Sequence, residues 1–133
     1  MRTYLDSSVL LTAWKRGQNH DKALSIMADE QRQFVTSQIV KLELLPKAKL
    51  ERRASEVEFY QRHFRDAESH LTLSRELGIE AQALAERHGL AAVDALHLAA
   101  AVRLGADEFI TSELPGKPLF RVTELKVISL HAL

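Results

Sequence analysis

The sequence predicts an α/β fold: a three-layer α/β/α sandwich around a short, mostly parallel sheet. Three observations carry that expectation. Short apolar stretches of strand character alternate along the chain with longer stretches whose apolar residues recur at helical spacing. The length, 133 residues with 46% hydrophobic, suits one domain, 1–133, with a sizeable core. No internal repeat or low-complexity linker divides it.

The elements follow in order. Met1-Arg2-Thr3-Tyr4-Leu5 reads as a first strand. Ser7 or Ser8 can cap a helix whose apolar face is Val9, Leu10, Leu11 and Trp14, and Gly17-Gln18-Asn19 breaks it. A second helix runs from about His20 to about Glu30 on Ala23, Leu24, Met27 and Ala28. Phe34-Val35-Thr36 is a short strand, and Ser37 looks like the N-cap of a helix carrying Ile39, Val40, Leu42 and Glu43. Pro46 either kinks that helix or opens the next. Lys47 to Phe64 is charged and helical, with Val57, Tyr60 and Phe64 on one face. Leu71-Thr72-Leu73 alternates like a strand. Ala81, Leu84, Ala85 and His88 form a helical stripe that ends at Gly89. Asp94 to Leu104 is the clearest helix, rich in alanine and stopped by Gly105. Glu108 to Thr111 is a strand, Pro115-Gly116-Lys117-Pro118 a loop, and Lys126 to Leu130 the last strand.

The composition excludes several classes. With no cysteine, the sequence offers neither disulfides nor thiolate zinc ligands, which fits a reducing compartment. A carboxylate interrupts the apolar opening at Asp6, unlike a secretory signal, and nothing approaches the ~20 apolar residues of a membrane span. The expected location is cytoplasmic, with no membrane partner. Eighteen basic residues balance eighteen acidic ones, so no global charge advertises nucleic-acid binding. Lys41, Lys47, Lys49, Arg52 and Arg53 nevertheless outnumber Glu43 and Glu51 locally; that run is a solvated helix face or a basic rim.

Four acids draw attention because each interrupts or borders an apolar stretch: Asp6, Glu43, Asp94 and Glu113. Asp6 and Glu113 follow expected strands, Asp94 lies near a helix start, and Glu43 lies in the helix after a strand. In open parallel sheets, sites form beyond the carboxyl ends of the strands, so all four can reach one sheet edge. Two like charges 4 Å apart repel by about 4 kcal/mol at an effective dielectric near 20. A gathered acid set therefore takes up protons or binds a cation. Carboxylate and water suit Mg²⁺ or Mn²⁺, and such ions promote phosphodiester hydrolysis by activating water and neutralising the phosphate.

Each acid alone has a plainer reading. Asp6 can cap a helix, Asp94 can complement a helix dipole, Glu43 can be an edge glutamate, and Glu113 an ordinary loop acid. His97, three residues beyond Asp94, is its neighbour on the helix and reads as a partly buried histidine with a local hydrogen bond, or as a support for the site. The hydroxyls of Ser7, Ser8, Thr111 and Ser112 flank the acids and can orient a water or a carboxylate. Trp14 and the Tyr60/Phe64 face read as core or dimer contacts. No Gly-rich phosphate loop, Ser/His/Asp arrangement or HExxH is present.

Four segments together resemble the PIN-domain family, and within it the VapC-type toxins. Tyr4-Leu5-Asp6-Ser7-Ser8-Val9-Leu10-Leu11 resembles the opening strand and first acid. Ser37-Gln38-Ile39-Val40-Lys41-Leu42-Glu43-Leu44 resembles the second, Asp94-Ala95-Leu96-His97-Leu98-Ala99-Ala100-Ala101 the third, and Phe109-Ile110-Thr111-Ser112-Glu113 the fourth. The segments occur in the family's order across nearly the whole chain. The resemblance implies a metal-dependent endoribonuclease, in which Asp6, Glu43, Asp94 and Glu113 coordinate Mg²⁺ or Mn²⁺ and Thr111 and Ser7 support them. It also implies an RNA substrate, a homodimer and a cognate antitoxin. Glu113 departs from the family's usual Thr-x-Asp. The alternative expectation is a PIN-fold protein- or RNA-binding module with little or no catalysis. The absence of an Asp-x-Asp after the first strand counts against a phosphatase.

Overall fold

The computed structural model describes residues 1–133. Its elements are β1 (Arg2–Leu5), α1 (Ser7–Trp14), α2 (His20–Met27), β2 (Gln33–Ser37), α3 (Gln38–Leu50), α4 (Ala54–Asp66), β3 (Ser69–Leu71), α5 (Arg75–His88), α6 (Ala92–Arg103), β4 (Glu108–Thr111) and β5 (Lys126–Ser129). Two single-turn 3₁₀ helices, Pro118–Arg121 and Leu130–Ala132, flank β5. The strands form one sheet in the order β3-β2-β1-β4-β5, and every pairing is parallel.

The central strands are buried on both faces, as expected of a parallel sheet covered by helices. Tyr4, Leu5, Val35 and Ile110 are wholly buried. Tyr4 stacks on Phe109 of the neighbouring strand at 5.4 Å between centroids, and His97 of α6 packs edge-on against the same tyrosine. The small residues Ala95, Ala99, Ala100 and Ala101 let α6 settle closely into the core. α1 packs against α2 and lies over β1 and β4, while α5 packs on α6.

The strand order reverses about β1. The chain moves from β1 to β2 and β3 on one side, then returns across the sheet through α5 and α6 to place β4 on the other side of β1. The carboxyl ends of β1 and β4 therefore bound a topological switch point, where such sheets hold their sites.

Several sequence expectations shift. The helix-start role falls to Asp6, not Ser7 or Ser8: its carboxylate accepts the Ser8 N–H, and both serines lie inside α1. Ser37 stands at the N-cap of α3, but its hydroxyl turns to Tyr4 instead of capping. Pro46 does not open the next helix; it sits inside α3 on the exposed side. The helical stretch from Lys47 to Phe64 is divided, because Arg52 adopts a left-handed φ of 54° and the Arg53 N–H closes back on the Ala48 carbonyl at 2.9 Å. The third strand is Ser69–Leu71, two residues earlier than Leu71–Leu73. β2 ends at Ser37, paired with Leu71, so Thr72 and Leu73 have no strand to join. Gly89 does end its helix, at φ 71°.

Candidate functional site

Asp6 occupies the switch point. Its backbone N–H donates to the Ile110 carbonyl of β4 at 3.1 Å, and its side chain is 7% exposed. Ser8 donates to Asp6 Oδ1 from its backbone N–H at 3.0 Å and also from its hydroxyl. The Ser8 hydroxyl in turn accepts the Ser112 N–H at 3.0 Å, so the turn after β4 is tied to the start of α1. Burial raises the Asp6 pKa, opposed by hydrogen bonds from Ser8 and Thr111.

Glu43 projects from the second turn of α3. One oxygen, Oε1, accepts both the Ser7 hydroxyl at 2.6 Å and His97 Nε2 at 2.5 Å. The His97 hydrogen bond holds the Glu43 pKa below the ordinary glutamate value, against partial desolvation. Beneath it, the Tyr4 hydroxyl lies 2.8 Å from His97 Nδ1 and 2.6 Å from Ser37 Oγ. Burial pushes the Tyr4 phenol far up, so it stays protonated.

Asp94 lies in the first turn of α6. Burial raises its pKa, and Glu113 adds like-charge repulsion, as does Glu43. The four sequence-predicted acids therefore face the same end of the sheet, and Asp94 feels two of the others. Glu113 stands in the turn beyond β4: its N–H donates to the Thr111 hydroxyl at 3.1 Å, and its carbonyl accepts the Ser129 hydroxyl at 2.6 Å. The hydroxyls of Ser7 and Thr111 thus bond Glu43 and the Glu113 backbone, respectively.

The acids do not stand closer than that. No three His, Asp or Glu side chains are near enough to hold one metal ion as they lie. Donor chemistry and charge nevertheless fit Mg²⁺ or Mn²⁺. The donors are oxygens only, and the salt bridges of the molecule leave Asp6, Asp94 and Glu113 without a Lys or Arg partner. Asp6 and Glu43 are held by one oxygen each, while the Asp94 and Glu113 carboxylates have no hydrogen-bonding partner and are free to turn.

The sequence did not reveal the Tyr4–His97–Glu43 connection. Its one trace was the three-residue spacing of Asp94 and His97, which makes the ring a helical neighbour of one acid. A cleft of about 130 Å³ runs from Glu43 between Lys15, Lys47 and Arg53. Farther away, between α1, α2 and α4, an apolar groove of about 520 Å³ is lined by Trp14, Leu24, Met27, Phe34 and Phe59.

A parallel α/β sheet with an acid set at its switch point defines a class of small site-bearing domains. The PIN domain family model matches residues 3–113, and this chain belongs to the PIN domain family. No curated protein matches the sequence significantly. Among solved structures, the fold resembles a chain of VapBC2 from Rickettsia felis bound to a DNA fragment from their promoter, at TM-score 0.71 and 17% identity, covering 97% of this chain and 98% of that one. It also resembles a toxin-antitoxin complex from Klebsiella pneumoniae, at 0.65 and 19% over 96% and 97%. DNA-bound VapBC from Salmonella typhimurium gives 0.68 and 18% over 98% of each chain.

Proposed function

We propose that this chain, acting as one PIN-like domain over residues 1–133, is a metal-dependent endoribonuclease of the VapC toxin type. One observation carries the reading: Asp6, Asp94 and Glu113 face the switch point of a PIN-family sheet without a basic partner, and burial already disfavours two of their charges. A divalent cation relieves that strain, because its own charge inverts the local preference for protonation. Asp6, Glu43, Asp94 and Glu113 would hold Mg²⁺ or Mn²⁺, with Thr111 and Ser7 in support. When bound, the ion supplies water activation and charge neutralisation at the phosphate. The chain itself orients Asp6 through Ser8 and Glu43 through Ser7 and His97. Lys15 and Lys47, which make no salt bridge, offer positive charge to an RNA backbone beside Glu43.

The VapBC likeness suggests a cognate antitoxin as partner, and the apolar groove under Trp14 is a surface such a partner can cover. Exposed Leu42 and Leu50 on α3 and Ile79 on α5 favour a homodimer, which light scattering would read directly. No helix is long and apolar enough to cross a membrane.

The test is cleavage of single-stranded RNA with Mg²⁺ or Mn²⁺. Asp6→Asn and Asp94→Asn should each abolish it, as should chelation. Parent-like cleavage by either folded variant would sink the nuclease reading. The spacing of the acids favours one second reading, a PIN-fold binding module without catalysis. A calorimetric titration in which the parent takes up no Mn²⁺ would select it.

A further inference from the structure

A chain of hydrogen bonds runs through the core beneath Glu43. Ser37 Oγ lies 2.6 Å from the Tyr4 hydroxyl, that hydroxyl 2.8 Å from His97 Nδ1, and His97 Nε2 2.5 Å from Glu43 Oε1. Ser37 and Tyr4 are fully buried and His97 is 3% exposed, whereas Glu43 reaches the surface. The carboxylate end sets the direction. An ionised carboxylate only accepts, so Nε2 carries the hydrogen. In the neutral imidazole Nδ1 is then the acceptor, Tyr4 donates to it, and Ser37 donates to Tyr4. All three bonds point the same way and end on one oxygen, Oε1.

Ser7, at the start of α1, adds a second donor to that oxygen. Oε1 is thereby occupied by the protein and Oε2 is left without a partner. A glutamate in the second turn of a helix ordinarily samples several rotamers at the surface. This one is held by a ring that is itself held by a buried phenol. Polar groups in a core are costly unless fully satisfied, and here every member of the chain is.

We propose that His97, fixed by the Tyr4 hydroxyl, is a positioning residue for Glu43 that turns its free oxygen Oε2 toward the acids at the switch point. The assignment rests on the metal-dependent reading given above. A ring N–H donated to a ligating carboxylate does for that ligand what outer-shell partners do in metal sites generally: it selects one orientation before the ion arrives.

The experiment compares the parent with His97→Leu, His97→Gln and Tyr4→Phe, using Mn²⁺ titration calorimetry and the imidazole nitrogen NMR signals of His97. The parent should show a single Nε2–H tautomer, and Tyr4→Phe should shift those signals by releasing Nδ1. His97→Leu should weaken Mn²⁺ binding about 10- to 100-fold. His97→Gln, whose amide N–H can still reach Glu43, should recover most of that loss. If His97→Leu does not fold, the glutamine and Tyr4→Phe variants carry the comparison. Parent-like affinity in the folded variants overturns the assignment, as does an equal loss in the leucine and glutamine proteins. A parent that binds no Mn²⁺ overturns the metal reading and this assignment with it. That outcome is distinct from failure of the assignment alone, in which parent and variants bind equally well.

Discussion

Ser8 grips Asp6 with both its backbone N–H and its hydroxyl, and both contacts fall on Oδ1. Because the hydroxyl also takes the Ser112 N–H, one side chain joins the start of α1 to the turn after β4. Ser8→Ala should destabilise the fold by about 1 to 2 kcal/mol, mostly through the Ser112 N–H left unpaired. It should also reduce RNA cleavage more than Ser7→Ala does, since Glu43 keeps His97 when Ser7 is lost. Chemical unfolding and a cleavage time course check both statements.

Asp6→Asn should separate stability from activity. Asparagine caps a helix about as well as aspartate, and no cationic partner of Asp6 is lost. Burial of the charge is relieved, so the variant without metal should unfold at the same temperature as the parent or higher. The rise in unfolding temperature that Mn²⁺ gives the parent should vanish. Differential scanning calorimetry with and without Mn²⁺ measures both effects.

His63 makes acid the weak side of the fold. It is buried against Phe34 and Phe64, its Nε2 has no hydrogen-bond partner, and burial pushes its pKa down from 6.5 to about 4. The folded ring stays neutral where the unfolded ring takes a proton. Its contribution is complete above pH 6.5, is lost as pH falls through the window down to about 4, and levels off below that. The loss across the window is about 3 kcal/mol. Unfolding free energies at pH 7 and pH 4.5 should show it, and His63→Leu should flatten that part of the curve.

At the opposite end of the sheet, Glu108 is 4% exposed and is held by the Thr3 hydroxyl at 2.6 Å and Arg32 Nε at 2.8 Å. Arg32→Ala strands a buried carboxylate and should cost about 3 kcal/mol, whereas Glu108→Gln should cost less. Because β4 begins there and the acids lie at its other end, cleavage well below the unfolding transition should not change. Denaturant titration beside a cleavage assay decides the matter.

Much of this architecture is legible in the residues. The alternation of short apolar runs with helical stripes gave the α/β class, and the run Glu108–Thr111 matches β4 to the residue. Asp6 and Glu113 could be placed at strand ends because strand length and burial are local properties. Which of Asp6, Ser7 and Ser8 caps α1 was not legible, since these residue types cap about equally well. The Arg52 break was hidden because a left-handed residue that is not glycine leaves no mark in composition. The approach of His97 to Glu43 joins residues fifty-four apart on two helices, and no periodicity encodes such a pairing.

The return of the chain across the sheet also sets the order in which the site can be completed. Asp6 precedes Ile110 and Thr111, which contact it, by more than a hundred positions, and Ser8 precedes Ser112, which it braces, by a similar span. Contacts of such separation form late, because the loop between them must first be closed. A nascent chain that has not yet produced β4 carries the first three acids without the strand that gathers them. On the nuclease reading proposed above, cleavage therefore waits until β4 has been made.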